Sequence, residues 1–158
     1  MKKDEKKKVI NLSWLVEKWT LIDDDTYLKN MWLNKESLDF IRINQEIQTR
    51  EDIERNYIDI DQDVENYVLM PGTDVIDSQD IRDAFIATLD RRDRDAFAEN
   101  NDFIAPRAEF LDTVYELGLE GLYNDFRDKV AAGILLSWAE DEGLSINKDM
   151  ETININKL

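Results

Sequence analysis

The apolar residues of this chain follow two different periods. Before about residue 77, TYLKNMWL is rich in β-forming residues and LDFIRI alternates between apolar and polar positions. This pattern predicts two antiparallel strands, at residues 26–33 and 38–43, joined by a turn at residues 34–37. YIDI and NYVLM are two further short strand candidates, and Pro71 ends the second of them. The N-terminal half therefore predicts a small antiparallel sheet.

After about residue 77 the apolar residues recur at the spacing of helices. Ser78 can cap the first helix, Pro106 suits the first turn of the second, and Gly118 suits the position after its end. A long helix is expected from about Glu120 to Glu140. The positions predicted to face the core are Ile81, Phe85, Ile86, Leu89, Phe110, Leu111, Val114, Leu117, Leu122, Phe126, Val130, Ile134 and Trp138.

These elements predict one α+β domain, with a small antiparallel sheet in the N-terminal half followed by a helical C-terminal half. A short first helix, with Ser13 as its N-cap, precedes the sheet. We expect the domain to span residues 10–145 and a basic, mobile tail to occupy residues 1–9. Residues 146–158 are expected to form a polar tail that is either an edge strand or frayed.

The composition limits the chemistry that this chain can perform. The sequence contains neither histidine nor cysteine, which excludes histidine triads, thiolate nucleophiles, disulfides and cysteine zinc sites. An enzyme would have to use carboxylate pairs, a lysine base or a hard metal ion. The lack of cysteine fits a cytoplasmic location. No signal peptide or membrane span is expected, because the apolar segment after the basic start is short and contains Glu17 and Lys18.

The charge of the chain is strongly negative, with a formal net charge of -16. Five lysines lie within the first ten residues, so that residues 11–158 carry 15 positive and 34 negative groups, a net of -19. Such a surface repels nucleic acid and anionic membranes and attracts basic proteins. We therefore expect a protein partner with a basic surface, and neither direct nucleic-acid binding nor membrane binding. The charge is also consistent with solubility alone.

The segment YIDIDQDVENYV places Asp59, Asp61 and Asp63 at every second position, as at the start of a calcium-binding loop. An EF-hand loop needs glycine at its sixth position and glutamate at its twelfth, where this chain has Val64 and Met70. Two isoleucines alternate with the aspartates. We therefore interpret the segment as a half-buried strand whose aspartates face water.

Two more acidic runs occur in the chain. Asp23–Asp25 follows the first predicted helix, and Glu140–Glu142 lies at the end of the last one. Carboxylates at the C-terminus of a helix oppose its dipole, which draws attention to the second run. We assign no catalytic, metal-binding or cofactor-binding residue and expect no cofactor. The candidate partner-binding residues are Asp23, Asp24, Asp25, Asp59, Asp61, Asp63, Glu140, Asp141 and Glu142.

Several segments together resemble a known family. WLNKESLDFI corresponds to its hairpin, YVLMP to its strand, and AFIATLD to the helix that follows. With the C-terminal motif positions, these segments resemble the uncharacterised bacterial protein family UPF number 0158. Leu38 replaces the hairpin glycine of that family, so we expect this turn to differ. The motif positions are Phe110, Asp112, Gly118, Tyr123, Phe126, Arg127 and Trp138.

The resemblance implies an α+β fold and no particular activity. Most motif residues are apolar and lie in predicted helices, so we expect them to be mainly structural, with Asp112 and Arg127 in a structural ion pair or cap. From the charge, we expect a non-enzymatic interaction or regulatory protein that binds a basic partner, although the sequence leaves an enzyme open. The alternatives are a metal-dependent carboxylate hydrolase, a nucleic-acid-mimicking inhibitor and a self-associating homo-oligomer.

Overall fold

The computed structural model describes residues 8–20, 29–44, 48–71, 78–100 and 106–154. Strands lie mainly in the N-terminal half of these ranges and the C-terminal half is helical, which confirms the predicted α+β class. The elements are β1 (Val9–Asn11), α1 (Leu12–Thr20), β2 (Lys29–Asn34), β3 (Phe40–Asn44), α2 (Arg50–Gln62), β4 (Tyr67–Leu69), α3 (Ser78–Ala87), α4 (Arg91–Asn100), α5 (Pro106–Glu116), α6 (Glu120–Asp141) and β5 (Ser145–Asn147).

An antiparallel sheet with the strand order β3-β2-β4 forms the centre of the N-terminal half. Residues paired across neighbouring strands share a face, and successive residues alternate between the two faces. The face that carries Met31 and Leu33 belongs to a core shared with α1 and α6. The opposite face carries Ile43, which is buried, and α2 packs against β3. The predicted hairpin of two strands is confirmed by the pairing of β2 with β3. β3 begins at Phe40 and not at residue 38, and residues 26–28 of the first predicted strand lie outside the described residues.

The segment YIDI is part of a helix and not a strand, so the prediction for residues 57–60 was wrong. Thr49 caps α2, since its hydroxyl oxygen accepts the N–H of Asp52 at 3.1 Å. Acidic residues in the first turn add favourable interactions with the helix dipole. Alternation over only four residues is too short to outweigh this helix start. Ile60 is consequently buried, whereas Ile58 is 53% exposed.

Two apolar cores hold the described chain together, and α6 contributes to both. The first core contains Leu12 and Leu15 of α1, the sheet residues Met31 and Leu33, and Leu135 of α6. The second core contains the aromatic side chains Phe85, Phe97, Phe110, Tyr123 and Phe126 with Ile81, Val114 and Val130. The rings of Phe110 and Tyr123 meet edge to face with their centroids 4.9 Å apart.

Two apolar residues that were predicted to face the core lie on the surface. Leu111 is 39% exposed and Leu122 is 61% exposed. Their sequence neighbours Phe110 and Tyr123 occupy the contact between α5 and α6 instead. Consecutive helical residues differ by about 100° in direction, so burial of the aromatic residues turns the adjacent leucines outward.

Glycine ends two of the helices as predicted. Gly118 follows α5 with a φ of 69°, and Gly143 follows α6 with a φ of 72°. At the first site the N–H of Leu119 donates to Val114 O at 2.9 Å and the N–H of Gly118 donates to Tyr115 O at 3.1 Å. This bond pair is the Schellman arrangement, which places a left-handed residue at the position after the helix.

The C-terminal segment returns to the start of the domain. β5 pairs in parallel with β1, with Val9 opposite Ser145, so the edge-strand alternative is confirmed for residues 145–147 alone. Ser13 lies inside α1, which begins at Leu12, so the prediction that it is the N-cap was wrong. Asp149 caps the helix instead from a distance of 136 residues: its carboxylate accepts the hydroxyl and the N–H of Ser13, the latter at 2.8 Å. The N–H of Ile153 donates to Lys129 O in α6 at 2.9 Å. A Cβ at Gly133 would lie 2.8 Å from Ile153 O, so this close approach requires glycine.

The turn between β2 and β3 contains a leucine in a conformation that glycine favours. Leu38 has a φ of 64°, which lies in the left-handed region. The sequence predicted a turn that differs from a glycine-containing hairpin, but the backbone at this residue has a conformation typical of glycine. The side-chain oxygen of Asn34 accepts the N–H groups of Glu36 and Ser37 at 2.9 and 3.0 Å and holds the turn. Leu38 also packs against the first core, and this contact offsets the backbone strain.

We expect Leu38→Gly to be at least as stable as Leu38→Ala, by up to about 1 kcal/mol. Both variants lose the leucine packing, but only glycine relieves the left-handed backbone. At the exposed helical position Asn124, the order should reverse, with the alanine variant about 1 kcal/mol more stable than the glycine variant. Urea unfolding of the four variants measures both differences. Greater stability of alanine at both positions would contradict the strained turn.

The contact between Asp149 and Ser13 predicts a pH-dependent contribution to stability. The hydrogen bond from the Ser13 hydroxyl is the main cause that lowers the pKa of Asp149 below its ordinary value of 3.8. The contribution is complete above pH 3.8 and is lost as the pH falls through the lower pKa of the folded protein. Asp149→Asn should therefore reduce stability near neutral pH, and its difference from the wild type should shrink in acid.

Urea unfolding at a series of pH values tests this expectation. The control is the same substitution in a Ser13→Ala background, where the effect of Asp149→Asn should be smaller because the hydroxyl donor is gone. A difference between wild type and Asp149→Asn that stays constant down to pH values well below 3.8 would contradict the lowered pKa.

Candidate functional site

The third aspartate of the calcium-like run is a structural residue. Asp63 accepts the side-chain amide of Asn34 at 2.8 Å and that of Asn66 at 2.8 Å. Asn66 also donates to Glu36 at 3.0 Å. Asn34 is only 5% exposed, so its amide needs the carboxylate as a buried partner. Asp63 therefore joins the β2–β3 turn to the turn between α2 and β4.

The other two aspartates of this run do not converge on a common point with Asp63. Asp59 and Asp61 are exposed residues of α2, and two positions along a helix differ by about 200° in direction. The interpretation of this segment as a strand is thereby corrected, while the exposure of Asp59 and Asp61 is as predicted. Among all described residues, no group of three or more carboxylates could hold a metal ion.

The acidic run Glu140, Asp141 and Glu142 closes α6 on the surface. The first two residues form its last turn and the third is its C-cap, and all three are exposed. The last turn contains no basic residue, so the three carboxylates face the negative end of the helix dipole without local compensation. The run Asp23, Asp24 and Asp25 lies outside the residues that the structure describes.

The motif positions of the family resemblance have mainly structural places. Phe110, Tyr123 and Phe126 are buried in the second core, and Gly118 supplies the left-handed residue after α5. The indole N–H of Trp138 donates to Leu69 O at 3.0 Å and so ties α6 to the sheet.

The two polar motif positions do not have matching roles. Arg127 forms an ion pair with Asp128 at 3.3 Å. Asp112 is exposed on α5. Arg127 therefore has the expected ion pair, but its partner is the adjacent Asp128 of α6.

Four described cations form ion pairs, and carboxylates remain in excess. In residues 48–71, seven acidic residues accompany only Arg50 and Arg55, and both arginines pair with acids within α2. Lys129 contacts the carboxylates of Asp125 and Glu151. The hydrogen bond to Asp125 is the main cause that raises the pKa of Lys129. Ion pairs among the described residues include Arg50–Glu54, Arg55–Asp52, Arg127–Asp128, Lys129–Asp125 and Lys129–Glu151.

An exposed surface of α5 was not found by sequence reasoning. It combines Leu111 and Tyr115 with Asp112 and Glu116, and Tyr115 is 73% exposed. One signal was present in the sequence: residues 108–126 contain five acidic residues and no lysine or arginine. The helical period alone had placed Leu111 in the core, which concealed the surface.

Comparison with known proteins adds no assignment to this geometry. No family model matches the chain, and no curated protein or solved structure matches it either. The resemblance to the uncharacterised bacterial family stays a prediction. No helix in the described part of the chain is long and apolar enough to span a membrane.

We expect Asp63→Ala to lower the free energy of unfolding by about 1–3 kcal/mol, because the buried amide of Asn34 loses its acceptor. The matched controls Asp59→Ala and Asp61→Ala should stay within about 0.5 kcal/mol of the wild type, since both residues are exposed. Urea unfolding measures all three. Equal effects at the three positions would contradict a structural role specific to Asp63.

Proposed function

We propose that this protein is a non-enzymatic interaction or regulatory module that binds a basic surface of another protein. The excess of exposed carboxylates over cations carries the proposal. Its net charge of -16 would steer a basic partner and raise the rate of encounter. The absence of cysteine supports a cytoplasmic site of action.

The positions of the exposed carboxylates support a role in binding rather than in stabilising the fold. Glu140, Asp141 and Glu142 oppose the dipole of α6, so they do not stabilise the helix that carries them. The exposed Asp59 and Asp61 of α2 belong to a segment with a clear excess of acids. A basic partner would gain from both groups, and it would bind less well as salt screens the charges.

A pull-down from a lysate of the source organism tests the proposal, with tagged full-length protein as bait. We expect a basic protein to be retained at low salt and released on washing toward ~1 M salt, where the Debye length falls to about 3 Å. The triple variant Glu140→Gln, Asp141→Asn, Glu142→Gln and the double variant Asp59→Asn, Asp61→Asn should retain less of it.

The retained proteins are identified by mass spectrometry and compared with those held by an unrelated acidic bait. Retention that is insensitive to salt, or equal on the unrelated acidic bait, would contradict the proposal. So would a failure to retain any basic protein at low salt.

A further inference from the structure

One face of α5 is exposed from Ala108 to Glu116. Ala108, Leu111, Asp112, Tyr115 and Glu116 are all exposed and recur at the spacing of a single helical face. The other side of α5 enters the second core through Phe110 and Val114. We call the five exposed residues the α5 outer face.

The α5 outer face contains two large apolar side chains. Leu111 and Tyr115 are one helical turn apart, so their Cβ atoms lie about 5–6 Å from each other. Tyr115 is among the most exposed large apolar residues of the described chain. Adjacent exposed side chains of this size are typical of interaction sites, whereas single exposed residues need no explanation.

The charges beside these side chains are mainly negative, and Arg107 is the one basic residue of α5. Asp112 and Glu116 each follow one of the apolar residues directly. No lysine or arginine occurs between residues 108 and 126, while five acidic residues do. A carboxylate therefore follows each apolar residue of the stripe, while Arg107 lies one helical turn before Leu111. A mainly basic surface complements this excess of negative charge.

We propose that the α5 outer face docks a basic amphipathic helix of another protein. This inference rests on the proposed function and names the surface and the partner chemistry. The α5 outer face has two apolar side chains one turn apart and charges at the adjacent positions. Such a stripe packs against a second helix whose apolar residues are flanked by lysine or arginine. An extended peptide would need a free sheet edge, which a helix face does not provide.

Two other occupants match this face less well. A second copy of the chain would bring Asp112 and Glu116 against like charges and add a net charge of -16. The basic segment at residues 2–8 complements the charge but contains no large apolar side chain. The apolar area of Leu111 and Tyr115 is small, so the complex depends strongly on charge and its affinity falls with salt.

The test uses the full chain and three synthetic peptides of about 18 residues, a length that can form a helix on binding. The first has a leucine stripe flanked by lysines. The second has the same composition in a scrambled order without the stripe, and the third has glutamates in place of the lysines. Fluorescence anisotropy at low salt and at ~0.15 M salt gives the affinities.

The first peptide should bind more tightly than the scrambled one, and the glutamate peptide should not bind. Leu111→Gln with Tyr115→Gln should weaken binding of the first peptide about tenfold or more. The control Val9→Gln, at an exposed position of β1 outside the acidic runs, should change it less than about twofold. Circular dichroism verifies that each variant is folded.

A charge reversal on the α5 outer face distinguishes binding at this face from general attraction between the acidic protein and a basic peptide. Asp112→Lys with Glu116→Lys should lose the lysine peptide and gain the glutamate peptide. Equal binding of the striped and scrambled peptides, or an equal loss in the α5 variant and the Val9→Gln control, would overturn the α5 site but leave the proposed function standing. Failure of both lysine peptides to bind at low salt would overturn both.

Discussion

The burial of α6 in two cores at once is the constraint on which the described structure depends. The first half of this helix contributes Tyr123, Phe126 and Val130 to the second core, and the second half contributes Ala131, Ala132 and Leu135 to the first. A helix that meets neighbours on several sides cannot have one apolar stripe. Its small residues let other segments approach closely, and Gly133 admits the backbone of Ile153.

α6 also protects one edge of the sheet. Two hydrogen bonds fix the pairing of β2 with β4: Met70 N donates to Met31 O, and Lys35 N donates to Asn66 O. In this register the carbonyl of Leu69 points away from β2. Trp138 of α6 donates to this carbonyl. At the opposite edge, the outward carbonyl of Arg42 accepts the side-chain amides of Gln48 and Asn56 at 3.0 and 3.5 Å. Both edges thus have a carbonyl that is satisfied by a side chain, which disfavours pairing with a further strand.

The sequence predicted the elements whose signals are local and missed those that depend on distant contacts. Pro106, Gly118 and Gly143 mark helix ends through their own backbone preferences, so α5 and α6 were located well. Four alternating residues could not distinguish a strand from α2, because Thr49 begins a helix there. The cap of α1 comes from Asp149, and no local pattern around Ser13 could have indicated a partner 136 residues away.

The places of the acidic and apolar surface residues argue for a partner more strongly than the net charge does. Solubility would explain exposed carboxylates, but it would not explain Leu111 and a Tyr115 that is 73% exposed beside them. The fold explains neither, because the core uses the opposite side of α5. Carboxylates at the end of α6 cost helix stability. The proposed binding to a surface that is both basic and apolar rests on these side chains, which the fold does not need and in part tolerates at a cost.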